Sequence, residues 1–200
     1  MVQLMVNAIL RALLIGGAVV MVFASGAQTP PAAAAPNTQP PAPKSPAPGT
    51  SGKAEHLGDA QDWSAFAETD KTAKACYLVG RPMKTEPENI KRGDVYVYVT
   101  HRPADKTFNV VSFAAGYPYK DGSDAELMID NHKFDLFTSK ESAWSRDAAT
   151  DKAVVEAMAK GKQAVLKGTS TRGTNTTDTY SLDGFAAMLA QIDKACGVKR

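Results

Sequence analysis

The fold class this sequence predicts is mainly β: an antiparallel β-sandwich with about two peripheral helices. Three observations carry that prediction. Short segments in which apolar and polar residues alternate recur from Asp62 to Thr169. Turn residues separate them, with none of the strand–helix–strand alternation that a parallel sheet requires. Helical spacing of apolar residues appears in two segments, both beyond residue 149.

The elements follow in order. Residues 62–67 (DWSAFA) put Trp63 and Ala65 on one face of a strand, and residues 75–80 (ACYLVG) form a second strand around Cys76. Pro82 and Pro87 mark the next stretch as loop. Residues 93–101 (GDVYVYVTH) are the clearest strand. Val95, Val97 and Val99 form a core face, and Tyr96, Tyr98 and Thr100 an aromatic, partly covered one. A turn from Arg102-Pro103 to Lys106 leads to a hairpin partner at 108–115 (FNVVSFAA). Residues 116–122 read as loop. Strands at 125–130 and 133–138 then flank a tight turn at Asn131-His132, and 142–146 reads as a short edge strand carrying Trp144.

Thr150 is placed to cap a helix over 151–160, with Val154, Val155 and Met158 as its apolar stripe and Gly161 as its stop. Residues 163–169 return to strand, and Thr169 to Thr179 is polar and threonine-rich. A last helix over about 183–195 carries Phe185, Met188, Leu189 and Ile192 at helical spacing, and Gly197 ends it. The count is about seven strands and two helices.

Upstream of this domain, residues 1–27 read as a signal peptide. Arg11 is the only charge before Lys44, and Ala12 to Ala24 form an apolar run of 13 residues. A membrane-spanning helix needs roughly 20 such residues. Ser25-Gly26-Ala27 offers small side chains for cleavage after Ala27. Residues 28–58 read as a disordered Pro/Ala-rich linker, because eight of the 12 prolines lie between Pro30 and Pro48. A spacer is favoured there over a PxxP-type ligand. The remaining segment, 59–200, is long enough to bury its own core. The expected location is periplasmic or secreted, with membrane contact only transient, through the signal peptide.

The chain has a formal net charge of +2, and loss of residues 1–27 leaves +1. A near-neutral protein lacks the electrostatic footprint of a nucleic-acid binder. Its two cysteines, Cys76 and Cys196, suit an oxidising compartment and a disulfide closing a loop of about 120 residues. The alternative, a reactive cysteine nucleophile, finds no flanking signature.

No catalytic constellation, metal site or cofactor motif emerges. His56, His101 and His132 lack ligand spacing, and Asp130 with His132 reads as a solvated turn tip. Gly168-Thr169-Ser170-Thr171-Arg172-Gly173 approaches a nucleophile elbow, but its second glycine comes one residue late and no helix follows directly. Two loops are candidate binding surfaces. One holds Tyr117, Tyr119 and Lys120 beside Pro118, whose tyrosines offer amphipathic area that loses little entropy on contact. The other holds Arg172, Asn175, Asp178 and Tyr180, with donors and acceptors suited to a glycan, peptide or cell-wall component. Structural roles compete in both loops: backbone capping, Tyr180 as core, and an exposed Arg172–Asp178 pair.

Several segments together resemble the invasion-associated locus B (IalB) family. They are YVYVTHRP at 96–103, NVVSFAAGYPYKDGS at 109–123, the ID-x-x-x-F pattern at 129–134, Ala143-Trp144, KGTSTRGTNTTDTYSLDGFAAML at 167–189 and Ala195-Cys196. The resemblance spans about 60–197. It implies an immunoglobulin-like β-sandwich in a secreted or periplasmic protein of Gram-negative bacteria, of a family that no enzymatic activity defines and whose founding member is associated with host-cell entry. Many members also carry a cysteine shortly after the first tryptophan, where this chain has Ala65-Phe66-Ala67. The function expected is surface recognition of a protein or cell-surface component by a non-enzymatic envelope protein. The alternatives are an envelope-polymer hydrolase, which a deep polar cleft would favour, and a periplasmic chaperone or stability factor, which an uncovered strand edge would favour.

Overall fold

The computed structural model describes residues 53–70 and 73–200. The signal peptide expected at 1–27 and the linker up to residue 52 lie outside these. The described chain is mainly β, with eleven strands and two α-helices. In chain order the strands are β1 (Lys53–Ala60), β2 (Trp63–Thr69), β3 (Lys74–Gly80), β4 (Lys84–Glu86), β5 (Tyr96–Arg102), β6 (Thr107–Ala114), β7 (Asp124–Ile129), β8 (His132–Ser139), β9 (Ser142–Trp144), β10 (Gln163–Thr169) and β11 (Asn175–Ser181). The helices are α1 (Ala148–Lys160) and α2 (Phe185–Cys196).

All eleven strands join one antiparallel sheet, in the order β1-β2-β3-β5-β6-β9-β8-β7-β10-β11-β4. Where a sandwich of two sheets was expected from sequence, the strands thus form a single ladder. The short strand β9 joins its two halves: Ala143 pairs with Phe113 of β6 on one side and Thr138 of β8 on the other. The inner faces then share one core. Phe113 meets Tyr180 edge-on at 5.6 Å, and the indole N–H of Trp63 donates to the Ser181 carbonyl at 2.9 Å.

Five expectations are corrected. The stretch around Trp144 is not an edge strand, because β9 is paired on both sides. The stretch 28–58 gives up its last six residues to β1, which pairs with β2 from Lys53 onward. The polar run from Thr169 to Thr179 holds most of β11, and the Pro82–Pro87 loop holds β4, which pairs with β11 at Thr85↔Asp178. Helix α1 begins at Ala148 because the Asp147 carboxylate, not Thr150, caps it, accepting the Thr150 N–H at 2.7 Å.

Both helices are tied into the sheet by buried polar bonds. In α1, the Asp151 carboxylate accepts the Val111 N–H at 2.9 Å, and its burial pushes that carboxyl up to about 6. In α2, Phe185 packs edge-on against Trp63 at 4.8 Å, and Cys196 is disulfide-bonded to Cys76. On the neighbouring strand β5, His101 sits directly opposite Cys76. His101 Nδ1 accepts the Asn109 N–H at 3.0 Å, so Nε2 carries the proton that it donates to Asp193 at 2.9 Å.

Candidate functional site

The two loops singled out from sequence meet along one seam. Lys120 N–H donates to the Thr169 carbonyl at 2.9 Å, Thr171 N–H donates to the Pro118 carbonyl at 3.0 Å, and Tyr119 forms a bridge to Ser170. The residue beneath the seam has to be small. A Cβ on Gly168 would stand 2.5 Å from Cε1 of Tyr119 and 2.9 Å from the Tyr117 hydroxyl. The seam itself turns tightly over Gly173, with the Ser170 hydroxyl accepting the Thr174 N–H at 3.2 Å.

A third stretch, residues 90–93, completes the site. Gly93 N–H donates to the Gly116 carbonyl at 2.8 Å. Gly116 has φ +70°, and a Cβ there would lie 2.3 Å from the Gly93 carbonyl oxygen, so the close approach requires glycine. This contact delivers Arg92 to the interior. Its guanidinium forms two hydrogen bonds to the Asp178 carboxylate and one to the Ala115 carbonyl at 3.2 Å, and it stands 6.0 Å from the Tyr117 ring centre. Burial opposes the Arg92 charge, but the Asp178 carboxylate outweighs it and holds the guanidinium above its ordinary value.

The candidates separate into two groups. Tyr119 and Tyr180 are core residues, and burial raises both hydroxyls well above the usual phenol range. Tyr117 is nearly as buried, shares a 2.5 Å hydrogen bond with the Thr176 hydroxyl, and forms the floor of a cleft. Asp178 is buried with Arg92, so the exposed Arg172–Asp178 pair expected from sequence is not formed. Arg172 is exposed and lines the cleft. Asn175 accepts a hydrogen bond from the Thr169 hydroxyl at 2.9 Å, and Lys120 is exposed outside the cleft lining.

The cleft encloses about 400 Å³ between residues 90–92, 116–118 and 170–176. Sequence reasoning missed Lys91 and Arg92. The one available signal was the basic pair in Lys91-Arg92-Gly93, directly before the clearest strand. With Arg92 neutralised by Asp178, Lys91 and Arg172 give the cleft its positive charge, and Thr171, Thr174 and Ser170 supply hydroxyls. Its lining residues include no histidine, cysteine or carboxylate that could activate a hydroxyl.

Asp130 and His132, read from sequence as a solvated turn tip, are exposed where β7 turns into β8, and Asp130 also has a backbone role. Its carboxylate accepts the N–H groups of Lys162 and Gln163 at 3.1 and 3.2 Å. Among the described residues, no group of three or more His, Cys, Asp or Glu side chains is placed to hold a metal ion, and no helix is long and apolar enough to cross a membrane.

Fold and site define a disulfide-bonded, mainly β antiparallel domain with a polar, cationic cleft at one loop cluster. Residues 63–193 match the family model described as "Invasion associated locus B (IalB) protein". The chain belongs to that family. Comparison with curated proteins and with solved structures returned no match.

Proposed function

We propose that this chain is an exported, non-enzymatic envelope protein that acts by surface recognition, host-cell association included. The cleft is its contact surface for an anionic cell-surface component or an acidic protein. One observation carries the reading. Three stretches distant in sequence, 90–93, 116–120 and 169–176, are hydrogen-bonded together so that Lys91 and Arg172 stand beside hydroxyl groups over the Tyr117 floor. Such a surface suits carboxylates or phosphates carried on a polymer, because cations and hydroxyl donors recognise both the charge and its neighbouring oxygens. Export to the periplasm or medium is supported by the N-terminal sequence pattern and by the Cys76–Cys196 disulfide, which suits an oxidising space.

The hydrolase reading finds little support in a cleft whose Ser170 hydroxyl is engaged in its own turn. The chaperone reading asks for an open strand edge. β1 is terminal in the sheet, but it carries Glu55 and Asp59 and a register shift between His56 and Gly58, features that discourage strand addition.

The test compares purified protein with a Lys91→Ala/Arg172→Ala variant for binding to intact cells and to acidic and neutral oligosaccharides. Binding of the native chain to acidic targets, weakening as salt rises, is expected. A folded variant should lose that binding. A variant with unchanged unfolding midpoint and unchanged cell association would overturn the proposal.

A further inference from the structure

The outer face of the first half-sheet holds a second groove, which shares no lining residue with the cleft. The residues of β2, β3 and β5 that point away from the core place Phe66, Tyr77, Tyr96 and Tyr98 on that face. The Phe66 and Tyr77 rings stack at 5.4 Å, and Tyr96 and Tyr98 lie 5.9 Å apart. Arg81 sits 5.0 Å over the Tyr96 ring and donates to its hydroxyl at 3.0 Å. With Ala54 and Asp62 on its walls, the groove encloses about 530 Å³. Its rings are held by one another, so the surface is formed in advance of any occupant.

An aromatic groove edged by hydroxyls and a guanidinium suits a polyproline II segment. Pyrrolidine rings lie flat on aromatic faces, and the unpaired carbonyls of that helix accept from tyrosine and arginine donors. This chain supplies such a segment. Pro40, Pro43 and Pro46 recur every third residue, which places them along one side of a helix with three residues per turn. Lys44, within that run, is the only charge between Arg11 and Lys53, and Asp62 on the groove wall is its complement. The connection is short. Pro46 lies eight residues before Ala54, itself a groove residue, and eight extended residues reach about 26 Å. A plain spacer requires neither the three-residue period nor an aromatic groove beside its point of attachment.

We infer that the Pro40–Pro46 segment docks, within the same molecule, into the groove formed by Phe66, Tyr77, Arg81, Tyr96 and Tyr98. Docking folds the segment back along the sheet and covers the half-buried rings of Phe66 and Tyr96, with the already buried Tyr77 and Tyr98 beneath them.

Two-dimensional NMR on the chain purified from its producing cells, with the proline segment present, tests this. The comparison is with the same chain carrying Pro40→Ser, Pro43→Ser and Pro46→Ser, which leaves the domain sequence intact. Amide signals of residues 66, 77–81 and 96–98 should differ between the two, independently of protein concentration. A synthetic peptide of residues 38–49 should bind the serine variant saturably, and the native chain several-fold more weakly because its groove is occupied. Tyr96→Ser added to the serine variant should abolish peptide binding; should that change unfold the domain, Arg81→Ala, on an exposed side chain, replaces it and should weaken binding. Superimposable groove signals together with no saturable peptide binding would overturn the inference. Differences that disappear on dilution would overturn it as well, by placing a second copy's segment in the groove.

Discussion

Arg92 and Asp178 are 86 residues apart in the chain, yet they form a bidentate ion pair whose side chains are 7% and 1% exposed. The pair joins the 90–93 loop to the centre of β11 and sets the back wall of the cleft. Breaking it from one side leaves a buried charge without its partner, which costs about 3–5 kcal/mol. Arg92→Met is therefore expected to lower the stability measured by urea unfolding by that order. The double variant Arg92→Met/Asp178→Leu is expected to recover a large part of the loss. A double variant no better than the single one would contradict this account.

His101 and Asp151 give opposite pH dependences. Burial lowers the His101 pKa, against the pull of Asp193, so the unfolded chain takes up a proton before the folded one does. The stability this histidine contributes is full above its ordinary value of 6.5 and is lost as pH falls below it. Asp151 behaves inversely. Its carboxyl is raised from 3.8 to about 6, so its contribution is full below 3.8 and is lost as pH rises through about 6. Urea midpoints measured between pH 4 and 7.5 should show His101→Gln removing the acid-side loss and Asp151→Asn removing the loss on approach to pH 6. Unaltered pH profiles in both variants would refute the assignment.

The Cys76–Cys196 disulfide spans 120 residues and ties the end of α2 to β3 beside the His101–Asp193 bond. In the chain-entropy view a loop of that size stabilises by about 4–5 kcal/mol. Cys76→Ala/Cys196→Ala is expected to lose stability of that order, and denatured, unreduced native protein should show no titratable thiol. Two thiols there would mean that the bond does not form in the cell.

Two of the three tyrosines that the sequence placed in candidate binding loops, Tyr119 and Tyr180, should respond as core residues. Tyr119→Ala empties the space over Gly168 and is expected to cost about 3–5 kcal/mol. Tyr180→Phe removes a buried hydroxyl that has no hydrogen-bond partner, and should leave stability equal or raise it by about 1 kcal/mol. Arg172→Ala, on an exposed side chain, should leave the unfolding midpoint in place.

Much of the fold was legible because alternation reports burial directly. Val97 and Val99, Val111 and Phe113, and Leu127 and Ile129 all face the core from strands expected on that basis. The pattern failed where a polar residue occupies an inward position. In β11 the inward residues are Thr176, Asp178 and Tyr180, and the middle one is charged. Asp178 is admitted there only because Arg92 arrives from another part of the chain. Strands β1 and β4 were missed because each has one neighbour in the sheet, so neither needs a strongly apolar face. The two candidate loops were picked out by composition, but their division into floor, core and exposed cation was not, since burial depends on neighbours remote in sequence.

By itself, then, the sequence determined the mainly β class, the positions of most strands, the family and the pairing of the two cysteines, because alternation, ordered motifs and an even thiol count are all written locally. The tertiary structure decided that β9 links both halves of the sheet into one ladder, that Asp178 belongs to Arg92 and not to Arg172, and that Lys91 joins Arg172 at a single cleft. These are choices of partner among residues separated by up to 118 positions. Only closure of the chain, weighing each buried charge against the groups that can reach it, selects among them.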